Sequence, residues 1–155
     1  MTWEEIINDP ALQNLPFKIE TNRFGQILMS PATNKHGIIQ SDVGFEIRRR
    51  LKGGVIINEC SIDTSDGVKV ADVAWASDDF FAEYGDVTPY PKAPEICVEV
   101  TSPSNSSKDE IEHKTELYLA KGALEVWGVN QKRHVTFYSH TGQIKKSKLV
   151  PNFKL

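Results

Sequence analysis

The sequence has few cysteines, no excess of basic residues and no long apolar run, and each of these excludes a class of protein. Its two cysteines, Cys60 and Cys97, lie in separate apolar segments and not in C-x-x-C spacing, so neither a zinc site nor a disulfide framework is indicated. The 18 Lys and Arg residues against 21 Asp and Glu give a formal net charge of -3. A protein that coats nucleic acid non-specifically needs clustered positive charge, so any contact with nucleic acid here must be local.

No apolar run approaches the roughly 18 residues of a membrane span, and the first ten residues, MTWEEIINDP, are acidic and unlike a signal peptide. We therefore expect a cytoplasmic protein with no membrane contact. The chain has 155 residues, of which 39% are hydrophobic, which is enough for one domain with its own core. We find no internal repeat or linker, and we expect a single domain over residues 1–155.

Residues 94–114, PEICVEVTSPSNSSKDEIEHK, are the most informative stretch of the chain. Residues 95–101 alternate as a strand does, with isoleucine and valine on one face and Glu99 on the other, close to the end of the strand. A turn-forming SPSNSS segment follows. Ser107 and Glu110 then fit the capping box that begins a helix, and Gly122 is suited to end it.

Lys114 occupies an unusual position on this predicted helix. At 100° per residue, Ile111, Thr115 and Tyr118 form one inward stripe, and Lys114 falls on its edge. One interpretation is that its ammonium and the carboxylate of the preceding strand converge at one end of a sheet. The other is that Lys114 extends to solvent and pairs with Glu110 at i,i+4, as structural ion pairs often do.

Asp72 lies within the second of two strands, 55–62 and 68–77, which we expect to pair across the turn DTSDG. Strand alternation places Asp72 on the face of Val68, Val70 and Ala74. An unpaired carboxylate is costly among apolar neighbours. We therefore expect a cation or a hydrogen-bond donor close to Asp72.

Two further candidates lie upstream. Residues 16–20 and 25–31 read as a hairpin, and Glu20 ends its first strand, where an exposed carboxylate is the default interpretation. A helix is predicted over 35–52, and His36 faces the core side at its start. A histidine there can orient a carboxylate, contact a phosphate or cap a turn.

The other segments complete an α/β pattern. The densest basic cluster, residues 48–50 with Lys52, is typical of a solvated helix end. Residues 78–94 are rich in turn formers and predict a surface loop with room for one helical turn. Further strands are predicted over 124–129, 134–139 and 143–149. The order of elements predicts a mixed β-sheet flanked by helices.

Asp72 and Glu99 on successive strands suggest a metal site. Carboxylate oxygens are the ligands that Mg²⁺ prefers, and Mn²⁺ accepts the same donors. With Lys114 added, the three residues match a general design for phosphodiester hydrolysis. Two carboxylates hold the metal, and the lysine orients the attacking water or stabilises charge on the phosphate.

Four segments resemble the Uma-two family of restriction endonucleases, a branch of the PD-(D/E)XK nuclease superfamily. They are NRFGQILMSPATNKHG, VADVAW, PEICVEVTSPSN and KTELYLAKG, in that order, and the resemblance extends over nearly the whole chain. It implies a restriction-endonuclease-like fold.

The resemblance also implies roles for particular residues. Asp72 matches the motif aspartate, Glu99 the motif (D/E), and Lys114 a lysine moved from the strand to the following helix. Glu20 and His36 match family positions near the same site. Two residues depart from the motif: an alanine replaces the proline before Asp72, and a threonine stands two residues after Glu99, where the superfamily usually has its lysine.

We therefore expect a Mg²⁺- or Mn²⁺-dependent DNA endonuclease that acts as a homodimer. The first alternative is a catalytically weak DNA-binding or protein-assembly module on the same fold, which the negative net charge favours. The second alternative is a metal-dependent hydrolase of small phosphoesters, which needs the same residues but no basic groove.

Overall fold

A computed structural model describes residues 1–103 and 107–155 of the chain. The helices of this part are α1 Trp3–Asn8, α2 Asn34–Arg50, α3 Asp78–Tyr84 and α4 Ser107–Ala120, with a 3₁₀ turn at Pro10–Leu12. The strands are β1 Phe17–Thr21, β2 Ile27–Pro31, β3 Val55–Thr64, β4 Gly67–Ala76, β5 Ile96–Val100, β6 Glu125–Val129, β7 Val135–Ser139 and β8 Gly142–Ile144. In these residues no helix is long and apolar enough to cross a membrane.

One six-stranded sheet in the order β3-β4-β5-β6-β7-β8 organises the fold, and β1 and β2 form a separate antiparallel hairpin. Neighbouring strands of the sheet are antiparallel except β5 and β6, which run parallel. Parallel neighbours need a crossover connection, and α4 provides it. This arrangement confirms the predicted mixed sheet flanked by helices.

The sheet buries apolar side chains on both faces. On one face α2 contributes Ile39, Val43 and Ile47 to a cluster with Val98 and Trp127. These helix residues are four apart and so lie on one face of α2. On the other face, α3 and α4 pack against a second cluster made of Cys97, Ala74 and Val126, with Tyr118 from α4. Because β5 alternates, Glu99 lies on the face of Cys97, which α4 covers.

The alternation of β4 is interrupted at Asp72. Ala71 and Ala74 belong to the same apolar cluster although they are three residues apart. The pairing of β3 with β4 omits Glu59 and Asp72, and Glu59 has a left-handed backbone with φ 54°. Because Ala71 and Ala74 would lie on opposite faces of a regular strand, strict alternation does not extend through Asp72. The pairs on either side, Asn58–Val73 and Cys60–Ala71, keep one register, so no residue is inserted and the irregularity is confined to Glu59 and Asp72.

Residues 78–94 are more ordered than the surface loop predicted for them. The first part forms α3, which Ser77 caps by accepting from the backbone N–H of Phe80. Farther along, Tyr90 and Ala93 are buried against the sheet. Of its aromatic residues, Phe80 and Tyr90 are buried with ring centroids 5.1 Å apart, so this segment contributes to core packing.

The last predicted strand is also shorter than residues 143–149. Only Gly142–Ile144 pairs with β7. The following backbone turns to the buried carboxylate of Glu125, which accepts from the hydroxyl of Ser147 and the N–H groups of Lys148 and Leu149. The backbone N–H groups of Lys148 and Leu149 bind this side chain and so do not pair with a neighbouring strand. By contrast, the capping box proposed for Ser107 lies outside the described side chains.

Candidate active site

The β1–β2 hairpin brings two charged residues to the sheet. Lys18 and Glu20 are two residues apart on β1 and so point to the same side. Thr21 anchors the strand: its hydroxyl accepts from Val68 N–H at 2.9 Å, and its carbonyl accepts from Lys69 Nζ at 2.8 Å. Gly67 allows this close approach, because it has φ +82° and an added Cβ would lie 2.6 Å from the Thr21 carbonyl oxygen.

Glu20 is buried and makes two kinds of contact. Its Oε2 accepts from the backbone N–H of Val70 at 2.6 Å, which fixes the carboxylate to β4. Both its oxygens accept from Lys114 Nζ, at 3.0 and 2.9 Å. The default interpretation of Glu20 as an exposed strand end is therefore wrong, because the hairpin folds over the sheet.

Asp72 is only 1% exposed and is held from two sides. Its Oδ2 accepts from the backbone N–H of Val100 at 2.7 Å. Its Oδ1 lies 3.2 Å from His36 Nε2 and 3.1 Å from Lys18 Nζ. The expected cation and donor are both present beside this carboxylate.

Glu99 lies near the carboxyl end of β5, where the parallel β5–β6 pair faces α4. Its Oε1 accepts from the hydroxyl of Tyr118 at 2.7 Å and lies 3.4 Å from Lys114 Nζ. Its Oε2 accepts from Lys18 Nζ at 3.2 Å. Tyr118 thus fixes one oxygen of Glu99 from α4, and the other oxygen turns toward Asp72.

Lys114 lies inside the site and does not extend to solvent. It is 5% exposed and contacts the carboxylates of Glu20 and Glu99. The alternative partner, Glu110, lies at 3.7 Å with a side chain 57% exposed. The i,i+4 pair exists, but the shorter, buried contacts determine where the ammonium lies.

His36 reaches the site from the start of α2. The helix begins at the Thr33 cap, whose hydroxyl accepts from the backbone N–H of His36, so the imidazole itself is not the cap. Its Nε2 lies against Asp72 instead. Of the three roles open to it from the sequence, the geometry fits the orientation of a carboxylate.

Lys18 is the residue that sequence reasoning missed. Its ammonium lies between Asp72 and Glu99, and 4.0 Å from Glu20. The signal was present in the alternation of FKIE, which places Lys18 and Glu20 on one face of a strand. A lysine near the start of a short hairpin strand is ordinarily solvated, and nothing local indicates that this one is covered.

Burial and neighbouring charges set the protonation of the cluster. Burial raises the pKa of Glu99 to about 7, because its effect outweighs the opposing ammoniums of Lys114 and Lys18. Burial also acts to raise the pKa of Asp72, but Lys18 and His36 hold it below its ordinary range. Glu20 likewise has a lowered pKa, since Lys114 and Lys18 outweigh its burial.

The neighbouring carboxylates raise the pKa of each basic partner. Burial acts against the charged form of Lys18, but Glu99 and Asp72 raise its pKa well above the ordinary value. For Lys114, too, Glu99 and Glu20 outweigh burial and raise the pKa. A hydrogen bond to Asp72 raises the pKa of His36. Both lysines are therefore fully charged at neutral pH.

The cluster lies at one side of a cavity of about 420 Å³. Apolar walls come from Leu15, Phe17 and Pro31, and acidic side chains from Glu59 and Glu110 also line the cavity. Thr101, two residues after Glu99, lines it too and brings no charge.

The dense basic cluster lies elsewhere. Residues 48–50 are at the opposite end of α2 from His36, about 20 Å along the helix axis at 1.5 Å per residue. Arg49 and Arg50 both pair with Glu46 in this cluster. It is a helix-end ion-pair group, as the conservative interpretation of the sequence predicted.

The donor set of the site suits a hard divalent cation. Asp72 Oδ1 and Glu99 Oε2 both lie within 3.2 Å of one nitrogen, so they are no farther apart than twice that distance. Within residues 1–103 and 107–155, no group of three or more His, Cys, Asp or Glu side chains is arranged to hold a metal ion. A two-carboxylate site completed by water needs no third such ligand, as is common for Mg²⁺.

Residues 3–152 match the model of the Uma2 family, whose description is "Putative restriction endonuclease". The comparison with curated sequences gives no match. Among solved structures, the chain is similar to one described as a putative nuclease belonging to DUF820 from Anabaena variabilis ATCC 29413.

That structural similarity has a TM-score of 0.57 at 20% sequence identity, and it covers 78% of this chain and 71% of the other. At this identity it shows a shared fold. The family match is broader, because it includes the hairpin, both carboxylate-bearing strands of the sheet and α4. The order of segments seen in the sequence and the match over nearly all residues lead to one assignment: the chain belongs to the Uma2 family, whose function is nuclease-like.

Proposed function

We propose that the protein is a metal-dependent endonuclease that hydrolyses phosphodiester bonds in DNA. The observation that carries the proposal is the convergence of Asp72 and Glu99 on one cation position, with the ammonium of Lys114 3.4 Å from Glu99. Family membership supports the same reaction class. Asp72 and Glu99 would hold Mg²⁺ or Mn²⁺ through their oxygens.

Each residue of the site has a distinct task in this proposal. When bound, the metal would stabilise negative charge on the phosphate and lower the pKa of a coordinated water. Lys114 would donate a hydrogen bond to a phosphate oxygen or to the attacking water. Glu20 positions Lys114, since both its oxygens accept from that ammonium.

Two further groups hold the carboxylates. His36 and the N–H of Val100 orient Asp72 from opposite oxygens. Tyr118 fixes Glu99 by donating to Oε1, which leaves Oε2 directed to the shared position. Such fixed donors keep the ligands in one geometry, and this preorganisation is what second-shell partners contribute to metal sites.

A binding or assembly module without cleavage is the second candidate. Two observations favour it: Glu59 and Glu110 make the cavity lining acidic, and the basic cluster lies far from the cavity. A protein groove that binds duplex DNA for cleavage is usually basic. Against it, a binding module gains nothing from burying Asp72 and Glu99 at one point, which is costly. A small phosphoester is the third candidate, since a cavity of about 420 Å³ has a size typical of small-molecule sites.

One set of assays separates the three. Purified protein is incubated with supercoiled plasmid, with a single-stranded oligonucleotide and with bis(p-nitrophenyl) phosphate, each with Mg²⁺, Mn²⁺ or EDTA. Cleavage of DNA that needs the divalent ion and is lost in Asp72→Ala supports the proposal. Turnover of the small ester alone supports the third candidate. DNA binding without cleavage in any condition supports the module.

A further inference from the structure

Lys18 contacts the two oxygens to which the proposed function assigns the metal. Its Nζ lies 3.1 Å from Asp72 Oδ1 and 3.2 Å from Glu99 Oε2. The side chain is 13% exposed, so this is a covered contact and not a surface ion pair. An ammonium and a divalent cation are alternative occupants of the same position, because both bind carboxylate oxygens and repel each other.

The other contacts of these carboxylates are made by groups that do not enter the shared position. Asp72 Oδ2 accepts from the backbone N–H of Val100, and Glu99 Oε1 accepts from Tyr118. Each carboxylate therefore has one oxygen fixed by the fold and one directed to Lys18. If Lys18 withdrew, two oxygens would still face one point, and only His36 would remain on the Asp72 oxygen among the described contacts.

Lys18 has room to withdraw. It lines the cavity of about 420 Å³, and its four-carbon stem can change rotamer without movement of β1. Mg²⁺ binds oxygen at about 2.0 to 2.1 Å. The two carboxylates must approach the ion more closely than they approach Lys18, so the ammonium cannot stay where it is when the ion enters.

We propose that Lys18 is an internal cation that occupies the metal position in the metal-free protein and is displaced into the substrate cavity when a divalent ion binds. This inference rests on the proposed function of the same site. It has two consequences. The metal-free fold tolerates two buried carboxylates because Lys18 neutralises them, and metal affinity is lowered by the competition with Lys18.

The test measures ion binding and needs no cleavage. Mn²⁺ binding is followed by the loss of the free-ion electron paramagnetic resonance signal, and Mg²⁺ binding by calorimetry, at pH 8. The variants are Lys18→Met and, as a second neutral form that keeps a polar end, Lys18→Gln. Lys132→Met is the control, because Lys132 is an exposed lysine that does not line the cavity.

Both neutral Lys18 variants should bind Mn²⁺ more tightly than the parent, by at least about fivefold, the lower end of coupling between linked binding events. They should also melt at a lower temperature without metal and gain more from added Mn²⁺. Lys132→Met should leave Mn²⁺ affinity unchanged. Lys18→Arg, which retains the charge, should not tighten binding.

The opposing outcomes are distinct. Equal or weaker Mn²⁺ binding by folded Lys18→Met or Lys18→Gln overturns the displacement of Lys18 and leaves a metal-dependent function intact. Absence of Mn²⁺ binding in the parent and in every variant overturns the metal-dependent function as well. Binding by the neutral variants but not by the parent supports occupancy by Lys18 and contradicts metal-dependent cleavage by the parent.

Discussion

The ammonium of Lys114 lies 2.9 Å from Oε2 of Glu20, although the two residues are 94 positions apart in the sequence. Both side chains are buried, so the pair is part of the site and not a surface contact. The helix lysine and the hairpin carboxylate thus position each other beside Glu99.

Replacement of Lys114 by alanine should lower cleavage by about 10²-fold or more, the usual cost of losing one preorganised donor. Mn²⁺ binding should persist, because Asp72 and Glu99 remain. Lys114→Arg should restore little activity, since the planar guanidinium group of arginine does not replace a compact ammonium. The measurement is the single-turnover cleavage rate, together with Mn²⁺ binding.

Glu110→Ala is the matched control for Lys114→Ala. Glu110 lies 3.7 Å from Lys114 and is largely exposed, and exposed helix pairs contribute only about 0.3 to 0.5 kcal/mol. Its rate should stay near that of the parent. Cleavage by Lys114→Ala at the parental rate with equal metal occupancy would remove Lys114 from the mechanism.

The affinity for Mn²⁺ should increase as the pH rises through about 7, because burial raises the pKa of Glu99 to that value and a proton competes with the ion. Calorimetric titrations between pH 5.5 and 8.5 measure this step. Glu99→Gln should bind weakly at every pH and lose the step. An affinity that does not change across this range would contradict a Glu99 pKa near 7.

The same raised pKa has a defined effect on the stability of the metal-free protein. A carboxyl whose pKa is higher in the folded state stabilises it fully below its ordinary value of 4.5. This contribution is lost as the pH rises through about 7. The unfolding free energy of the parent should therefore fall relative to that of Glu99→Gln between pH 4.5 and about 7, as measured by urea denaturation.

Gly67→Ala should destabilise the protein and impair metal binding together. The new Cβ would lie 2.6 Å from the Thr21 carbonyl, and relief requires the hairpin that carries Lys18 and Glu20 to move. Gly25→Ala is the control: its φ of +75° is similar, but nothing lies within 4 Å. It should cost only the left-handed strain of about 1 to 2 kcal/mol. Equal losses in both variants would show that close packing at Gly67 contributes nothing.

Glu125→Ala should lower the free energy of unfolding by about 3 kcal/mol or more, since each buried donor left unpaired costs about 1 to 3 kcal/mol. The carboxylate accepts from Trp127 Nε1, Ser147 and two backbone N–H groups. Ser147→Ala should cost less, because Glu125 keeps its other three donors and only the Val150 N–H, which donates to the Ser147 hydroxyl, loses its partner. Urea denaturation of both variants measures the order; a smaller loss for Glu125→Ala would contradict it.

Sedimentation should show self-association, with a two-fold dimer as the expected form. Symmetric dimers are the commonest assembly, and two sites make the cutting of both strands of a duplex straightforward. A single species of about 17 kDa at micromolar concentration would contradict this prediction.

The sequence was sufficient to find the parts of the site that interrupt an apolar pattern. Asp72 and Glu99 are charges within apolar strands, and Lys114 lies on the edge of a helical stripe, so each was noticeable without coordinates. The resemblance to a family then supplied Glu20 and His36. All five lie around the same cavity.

Lys18 and the irregularity at Asp72 could not be predicted in the same way. Lys18 is covered by contacts with residues 54 and 81 positions away, which no local pattern encodes. The alternation of β4 reads as continuous in the sequence, and the left-handed backbone of Glu59 that interrupts the pairing lies on the other strand. The C-terminal strand was predicted to be too long because the backbone N–H of Lys148 donates to Glu125, 23 positions away, which no local pattern indicates.

The site draws its charged residues from β1, α2, β4, β5 and α4, with contacts that join residues up to 94 positions apart. Such long-range contacts form late, because each requires the closure of a long loop. During synthesis, a nascent chain has no complete centre until α4 has left the ribosome and packed on the sheet. An unfinished or partly unfolded copy therefore lacks the assembled charged cluster, and the topology itself ties formation of the site to the completion of folding.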